Sequence, residues 1–411
     1  MIILNEIEYQ LKKIKDKWLF FHFFLKKIAT PKEPVSKTIL IIRLDAIGDC
    51  IVWLDQAKEY RKAFPNHKLV LLHNDAWSDL AEKMMYFDEK IPFNRKKIGE
   101  IKYYKQLVYS LNKYHYEKVF SPAFSRDFIT VDWFVHNVNS QEKIGYEGDY
   151  QNNNNIVTFN LYYRNNSNNI NLKKLADSWY STLVPNSEYC QMELQRNAHF
   201  VRHTINPLFQ SHFPVIPFVF HRSHIIPNKK YAVLFLGAGV IHRTWPVEYF
   251  VEISYNVPFD NIIICGTHND YTLVSKFISI YHGSKNIIDL TGKTSLLELI
   301  NIISFAEIVI TNETSASHIS VATRTPSICL LGGGHYGRFF PYQVDIIDES
   351  NQKNNTIVVT CKDHSCFGCN WKCKYPFEHQ RWRCIATITK EDVNNALIQL
   401  TKKTTTYNTL P

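Results

Sequence analysis

The chain has 411 residues, of which 45% are apolar and 21% are charged. This length suits two domains that each bury a core, and the moderate, mixed charge excludes a disordered chain. The 47 basic and 38 acidic residues give a formal charge of +9, which is compatible with an anionic substrate, a membrane surface or nucleic acid without choosing among them.

Residues 1–36 are predicted to form a separate basic amphipathic helix. Its apolar residues recur at steps of three and four and so share one face: Leu11, Ile14, Trp18, Phe21 and Leu25. The remainder is made basic by six lysines: Lys12, Lys13, Lys15, Lys17, Lys26 and Lys27. Such a helix can lie in a membrane interface, or it can pack on the protein itself or on another subunit, and the sequence leaves both open.

The location of the protein is predicted from its apolar segments. No segment is long enough to span a bilayer, and the short apolar run Trp18–Leu25 lacks the features of a signal peptide. We therefore expect a cytoplasmic protein, with a peripheral membrane contact as an option that the basic helix provides.

Residues 37–215 are predicted to form the first α/β domain. The apolar run Thr38–Leu44 suits a buried parallel strand. A short loop, a helix over 50–64 and a strand at Lys68–His73 complete a βαβ unit. A further strand is expected at Lys118–Ser121.

Residues 216–411 are predicted to repeat the α/β pattern. Expected strands are Tyr231–Leu236, Asn261–Cys265, Ile308–Thr311 and Ser327–Leu331; expected helices are 246–254, Leu296–Ser304, Ser315–Thr323 and 391–402. Two such Rossmann-like halves place a ligand cleft at the carboxyl ends of their sheets. A cysteine-rich segment, residues 361–384, interrupts the second half.

Four segments resemble one enzyme family. They occur in the family's order and read TILIIRLDAIGD (38–49), LGAGVIHRTWP (236–246), DLTGKTSLLEL (289–299) and TNETSASH (311–318). Together they resemble the family 9 glycosyltransferases, the lipopolysaccharide heptosyltransferases. The resemblance implies a GT-B-type fold with two Rossmann-like domains and a central cleft. It also implies inverting transfer of heptose or a related sugar from a nucleotide-diphosphate donor such as ADP-heptose.

Asp49 matches the catalytic base proposed for that family. Inverting transfer needs a base that takes the proton of the acceptor hydroxyl, and an Asp on a loop at the end of a strand suits this role. The alternative is an ordinary carboxylate at a helix N-terminus. Asp45, on the same loop, stands where the family has Ser and is a rival base. Gly48 and Asp45 are expected on the acceptor side.

Arg243 aligns with the family's basic residue near the donor phosphates. A guanidinium can grip diphosphate oxygens bidentately and stabilise the leaving group without a catalytic metal; the alternative is a surface salt bridge. Gly237 and Gly239 would let the backbone approach phosphate. The alternative is that these glycines only form a tight turn, which has the same geometry.

The segment from Glu313 to His318 is the second donor-side candidate. Thr314 and Ser315 begin a predicted helix whose backbone N–H groups can face a diphosphate. Glu313 stands where the family has Asp and Ser315 where it has Gly, so the resemblance also admits a donor other than ADP-heptose. His318 is a donor-side candidate or a structural histidine.

Two further sites have weaker matches. Gly332 and Gly333 follow a strand and suit a donor-binding loop. Arg126 lies after a first-domain strand and is an acceptor-side candidate, with a local salt bridge as the alternative.

Five of the nine cysteines lie within residues 361–384. Their short gaps suit tetrahedral thiolate binding of structural Zn or Fe. The ligands that we expect are Cys366, Cys369, Cys373 and Cys384, with Cys361 as the spare residue and His364 as a possible substitute for one thiolate. Free buried thiols and a redox Cys-x-x-Cys pair are the alternatives.

The predicted function is therefore transfer of a sugar from a nucleotide-diphosphate donor to a cell-envelope glycan or glycolipid, with no nucleic-acid partner and no assigned oligomeric state. A nucleotide-sugar epimerase or hydrolase on the same scaffold is one alternative. A non-catalytic protein that binds sugar or nucleic acid is the other.

Overall fold

A computed structural model describes residues 23–30, 34–150, 172–222, 225–346, 355–363 and 365–407. The described chain forms two compact units. The first comprises described residues within Met1–Ala46, Glu59–Glu188 and Phe200–Pro207; the second comprises Ile47–Lys58, Tyr189–His199 and described residues from Leu208 onward. Because Ile47–Lys58 belongs to the second unit while its neighbours in the chain belong to the first, the units are not divided by a single cut.

The first unit is built on a six-stranded parallel sheet. Its strands are β1 (Val35–Arg43), β2 (Lys68–Asn74), β3 (Glu89–Phe93), β4 (His115–Ser121), β5 (Ser140–Tyr146) and β6 (Thr182–Val184). Their order across the sheet is β3-β2-β1-β4-β5-β6, which is the doubly wound order of a Rossmann fold. Leu40 and Ile42 of β1 are fully buried, as expected for a central parallel strand covered on both faces.

The second unit repeats this arrangement. Its strands are β7 (Tyr231–Phe235), β8 (Asn261–Cys265), β9 (Asn286–Asp289), β10 (Ile308–Asn312), β11 (Ser327–Leu330) and β12 (Thr356–Val359). The order is β12-β11-β10-β7-β8-β9, with β10 parallel to β7 and Thr311 opposite Phe235. The chain order therefore reverses between β7 and β10, as it does between β1 and β4.

Helices cover both sheets. Those of the first unit are α2 (Glu59–Ala63), α3 (Ser78–Lys83), α4 (Ile101–Leu111), α5 (Trp133–Asn137) and α6 (Leu172–Asp177). The helix α7 (Glu193–Thr204) is divided between the units after His199. Those of the second unit are α1 (Ile47–Ala57), α8 (Val247–Asn256), α9 (Tyr271–Ile280), α10 (Leu296–Ser304), α11 (Ser315–Thr323), α12 (Arg383–Ala386) and α13 (Lys390–Tyr407). α1 packs against α11 within the second unit.

The predicted α/β architecture with two parallel sheets is confirmed. β8, α10 and α11 have the predicted bounds, and the predicted helix over 50–64 is divided at Lys58 into α1 and α2. α13 packs on α8 and on the edge of its own sheet, where Val393, Leu397 and Leu400 enter the core of the second unit.

The predicted N-terminal helix lies mostly outside the described residues. At its described end, Phe24 is fully buried in the core of the first unit, and Phe23 and Leu25 pack beside it. The rings of Phe23 and Phe24 lie 5.2 and 5.5 Å from that of Trp133. These three residues therefore pack on the protein itself. No helix among the described residues has the length and apolarity to cross a membrane.

Candidate functional site

The reversal of chain order in the second sheet positions two loops side by side. In doubly wound sheets, ligands bind at the carboxyl ends of the strands where the order reverses. Here the loop after β7 carries residues 236–246, and the turn after β10 carries Glu313 and Thr314. The donor-side residues predicted from sequence thus come together at this edge.

Asn312, at the end of β10, fastens the two loops together. Its Nδ2 donates to the carbonyl oxygens of Leu236 at 2.9 Å and of Gly237 at 3.2 Å. Its Oδ1 accepts from the backbone N–H of Trp245 at 2.9 Å. The side chain is fully buried, so these bonds fix both ends of the loop that carries Arg243.

Four side chains meet beyond Asn312, and we call them the Glu313 cluster: Arg243, Glu313, His335 and Trp371. His335 Nδ1 donates to Glu313 Oε1 at 3.1 Å, while Arg243 Nη2 lies 3.7 Å from Glu313 Oε2. The Arg243 guanidinium lies over the Trp371 ring at 4.5 Å, and the His335 and Trp371 rings are 5.4 Å apart.

Three atoms of the Glu313 cluster are buried without a hydrogen-bond partner among the described residues. They are Arg243 Nε, Glu313 Oε2 and Trp371 Nε1. A buried polar atom left unpaired costs about 1–3 kcal/mol, so three in one place indicate that the cluster is built for a polar ligand. Two of the atoms donate, one of them from a cation, and the third accepts. That combination suits an anionic group with hydroxyls close by.

The N-terminus of α11 lies next in the chain. Thr314 is its N-cap and accepts from the backbone N–H of Ala316, and Ser317 completes a reciprocal cap by accepting from the N–H of Thr314. Ser315 is the first residue of the helix. The helix dipole therefore adds partial positive charge beside Glu313.

The two glycines of the loop after β7 differ in their surroundings. Gly239 has φ +75° with open space where a side chain would project, so a turn requires it. A Cβ at Gly237 would overlap the Asp270 carboxylate, which accepts from the N–H and hydroxyl of Thr267. Gly237 is therefore needed for close packing against Asp270.

Gly332 and Gly333, the predicted donor-binding glycines, pack against the cysteine-rich segment. A Cβ at Gly332 would overlap Trp371, and a Cβ at Gly333 would overlap Phe367. The carbonyl of Gly333 also accepts from the N–H of Gly368 at 2.8 Å. These glycines lack side chains because the cysteine-rich segment lies directly on them.

His318 is almost completely buried in α11. Its Nδ1 shares a 2.9 Å hydrogen bond with the Tyr342 hydroxyl, and its ring stacks on Phe340 at 4.8 Å. Burial, assisted by the positive charge of His335, lowers the pKa of His318 to about 3. The imidazole is therefore neutral near pH 7. A Cβ at Gly48 would come within 3.0 Å of it, so Gly48 lets α1 approach α11.

Asp49 lies in the first turn of α1, half-buried. Burial raises the pKa of the Tyr342 hydroxyl, and the negative charge of Asp49 adds to this shift. The charge of Asp49 therefore acts on the Tyr342 hydroxyl, which shares the hydrogen bond with His318. This position also agrees with the alternative interpretation of Asp49, in which it is an ordinary carboxylate at a helix N-terminus.

Asp45 and Arg126 are both engaged inside the first unit. The Asp45 carboxylate pairs with Arg43 at 2.8 Å. The Arg126 side chain is fully buried and pairs with Asp132 at 2.9 Å and with Asp177 at 2.6 Å. It also lies over the ring of Tyr180 at 4.7 Å. These ion pairs agree with the alternative interpretation of Arg126, a local salt bridge.

The five C-terminal cysteines line one cavity of about 270 Å³, together with Trp371, Tyr375, Trp382 and the cations Lys362 and Arg383. Burial raises the pKa of Cys384 to about 11. Among the described residues, no three His, Cys, Asp or Glu side chains are grouped to hold a metal ion, and His364 lies outside those residues. The metal site stays a prediction.

Comparison with known proteins identifies the family. The family model described as glycosyltransferase family 9 (heptosyltransferase) matches residues 134–365, more than half of the chain. The chain belongs to glycosyltransferase family 9. It is therefore a glycosyltransferase, and its resemblance to that family in sequence is confirmed.

Solved structures share the fold of this family 9 glycosyltransferase. A family 9 glycosyl transferase from Veillonella parvula has a TM-score of 0.66 at 15% identity, covering 90% of this chain and 98% of its own. The E. coli ADP-heptose lipopolysaccharide heptosyltransferase II has a TM-score of 0.62 at 14% identity, covering 89% of this chain and 99% of its own. The iron-containing dodecameric glycosyltransferase TibC from enterotoxigenic E. coli has a TM-score of 0.51 at 11% identity, covering 91% of this chain and 78% of its own. A search of curated proteins found no match.

Three residues of this family 9 glycosyltransferase carry site geometry that the sequence did not reveal. Asn312 joins the loops, His335 holds Glu313, and Trp371 covers Arg243. Asn312 lies within the family motif TNETSASH, so that motif contained a signal for it. No local pattern marks Trp371, because its contacts come from segments far away in the chain.

Proposed function

We propose that this enzyme transfers a sugar from a nucleoside-diphosphate donor, heptose or a related sugar, with inversion at the anomeric carbon. The observation that carries the proposal is the Glu313 cluster, with two buried donors and one buried acceptor unpaired among the described residues. A sugar diphosphate supplies anionic oxygens for the donors and hydroxyls for the acceptor. The family 9 relative named for ADP-heptose supports this choice of donor.

The proposed donor contacts divide by charge. Arg243 and the N-terminus of α11 at Thr314–Ser315 bind the diphosphate, because both present positive charge. Glu313, held in place by His335 at 3.1 Å, accepts from sugar hydroxyls. As the bond from the anomeric carbon to the diphosphate breaks, negative charge grows on the leaving oxygen, and Arg243 stabilises it without reorganising.

Asp49 is the proposed base. Its carboxylate takes the proton of the acceptor hydroxyl while that oxygen bonds to the anomeric carbon and the nucleoside diphosphate leaves with the bonding electrons. His318 is neutral in its buried position, and its proposed role is to position the chain beside Asp49 through Tyr342. Asp45 is a weaker candidate because Arg43 pairs with its carboxylate at 2.8 Å.

The proposed acceptor is a cell-envelope glycan or glycolipid, in keeping with the relative that acts on lipopolysaccharide. A cytoplasmic protein that contacts the inner membrane through its basic N-terminal region would meet such an acceptor at the membrane surface. The lysines of residues 12–27 support this proposal by their charge.

A structural Zn or Fe ion is proposed for Cys366, Cys369, Cys373 and Cys384. The support is chemical: these thiols line one cavity with Cys361, and thiolates are the ligands that both metals accept in structural sites. The solved relative TibC is iron-containing. Binding would draw the sulfurs together and stabilise the cysteine-rich segment.

The test of the base is a comparison of two isosteric variants. Asp49→Asn is expected to lower the transfer rate about 10²–10⁴-fold, while the affinity for the nucleotide sugar stays unchanged, because Asp49 acts on the acceptor. Asp45→Asn, four residues earlier in the chain, is the matched variant and is expected to lose far less. Transfer and donor affinity are measured on the same preparations, by product analysis and calorimetry. Full transfer by Asp49→Asn would remove it as the base.

A further inference from the structure

Trp371 lies between the Glu313 cluster and the cavity lined by the five cysteines. One side of its ring faces the Arg243 guanidinium at 4.5 Å. The same side chain lines the cavity that holds the five cysteines, and it lies two residues from both Cys369 and Cys373. Trp371 thus joins the cysteine cavity to the Glu313 cluster within one unit.

The backbone at Trp371 is held in an unfavourable conformation. Trp371 has φ +61° and Asn370 has φ +50°. The left-handed region is rare and unfavourable for side chains as bulky as Trp. The N–H of Asn370 donates to the carbonyl of Gly334 at 2.9 Å, and the glycines beneath leave room for the ring. Such strain persists where the surrounding structure fixes a side chain in a useful place.

The cysteine-rich segment also contacts the loop that carries Arg243 through hydrogen bonds and ring stacking. The N–H of Trp382 donates to the carbonyl of His242 at 3.0 Å. Arg381 Nε donates to the carbonyl of Thr244 at 2.8 Å. His242 stacks on Phe377 at 4.1 Å. The residues on either side of Arg243 are therefore both fastened to this segment.

We propose that Trp371 is a donor-binding residue and that the cysteine-rich segment positions it. Its buried indole N–H, unpaired among the described residues, donates to an oxygen of the donor's diphosphate, and its ring holds the Arg243 guanidinium beside that group. The inference rests on the proposed function, because it uses the Glu313 cluster as the donor site. It adds a ligand-binding role for a segment that the two-sheet architecture does not require.

The experiment measures binding of ADP to the full-length protein by calorimetry. Trp371→Phe keeps a ring over Arg243 but removes the N–H, and it is expected to bind ADP about 10-fold more weakly or worse. Trp179→Phe is the matched control: Trp179 lies in the first unit, and its ring contacts are with Phe128 and His136. This control is expected to bind ADP within about 2-fold of wild type, since its indole is not part of the cluster.

A direct observation in the unmodified protein complements the variants. ADP is expected to shift the indole ¹H–¹⁵N signal of Trp371, assigned by its loss in Trp371→Phe or Trp371→Tyr, and to leave that of Trp179 in place. If wild type binds ADP and Trp371→Phe binds it equally well with no indole shift, this inference is wrong and the donor site stands. If wild type binds none of ADP, UDP and GDP, the proposed function itself fails.

The positioning part of the proposal has its own test. Cys369→Ser is expected to weaken ADP binding in wild type but to add little in a Trp371→Phe background, because both changes remove the same contact. Strictly additive losses would show that the cysteines do not act through Trp371. An unchanged affinity in Cys369→Ser would contradict positioning by the segment altogether.

Discussion

Burial determines how His318 responds to pH. Its pKa in the native protein is lowered to about 3, mainly by burial, whereas a histidine in an unfolded chain titrates near about 6.5. Between these values the unfolded chain binds one more proton at this position than the native protein does. The free energy of unfolding therefore falls as the pH falls, and the stabilisation from a neutral His318 is complete only above about pH 6.5.

Replacing His318 by Gln is expected to flatten this pH dependence. From about pH 6.5 to about pH 4.5, His318 contributes a slope of up to about 1.4 kcal/mol per pH unit, and His318→Gln lacks it. Urea unfolding at several pH values gives the two slopes. Other buried histidines such as His73, whose pKa is also lowered by burial, are present in both proteins and cancel in the difference. Equal slopes would contradict a buried neutral His318.

At the scale of elements, the cysteine-rich segment makes a distinct prediction about metal. Purified protein is expected to hold about one Zn or Fe ion per chain, and Cys373→Ser is expected to lose most of it, because three thiolates and water bind more weakly than four thiolates. Cys190→Ser is the control, since that cysteine lies outside the segment. Elemental analysis by mass spectrometry checks both. Equal metal content in wild type and Cys373→Ser would contradict the assigned ligand set.

The elements that could be predicted from sequence are those whose residues form a recognisable local pattern. β7 reads YAVLF with every residue buried, and a central parallel strand needs such a run. The strands without a prediction include β3, β6, β9 and β12, which all lie at sheet edges. β3 reads EKIPF and β9 reads NIID, with their residues mostly half-buried. Half-exposed edge strands lack a continuous apolar run, so their pattern resembles that of loops.

The site divides in the same way. Arg243 and Glu313 could be predicted because each lies within a family motif next to a strand end. Gly332 and Gly333 have the same local pattern as a phosphate loop, and only the approach of Phe367 and Trp371 from the cysteine-rich segment reveals their packing role. Trp371 itself depends on a left-handed backbone and on contacts with distant segments. No spacing in the sequence encodes either.

At the scale of the whole molecule, α1 packs in a different unit from the strand that precedes it in the chain. This helix follows β1 directly, yet it belongs to the second unit. Val52 of α1 is fully buried in a cluster with Val321, Cys329 and Leu331. The core of the second unit is therefore incomplete without a helix that precedes most of the first unit in the chain.

This interleaving predicts which unit a core mutation weakens. Val52→Ala should cost about 1–3 kcal/mol, and the loss should fall on the second unit, because the residues around Val52 lie there. Val70→Ala, in the core of the first unit, is the matched control. Hydrogen exchange read peptide by peptide separates the two cases. Val52→Ala is expected to speed exchange in β10 and β11 and to leave β2 and β4 protected, whereas Val70→Ala should do the reverse. Loss of protection confined to β1–β6 in Val52→Ala would show that α1 stabilises the first unit instead.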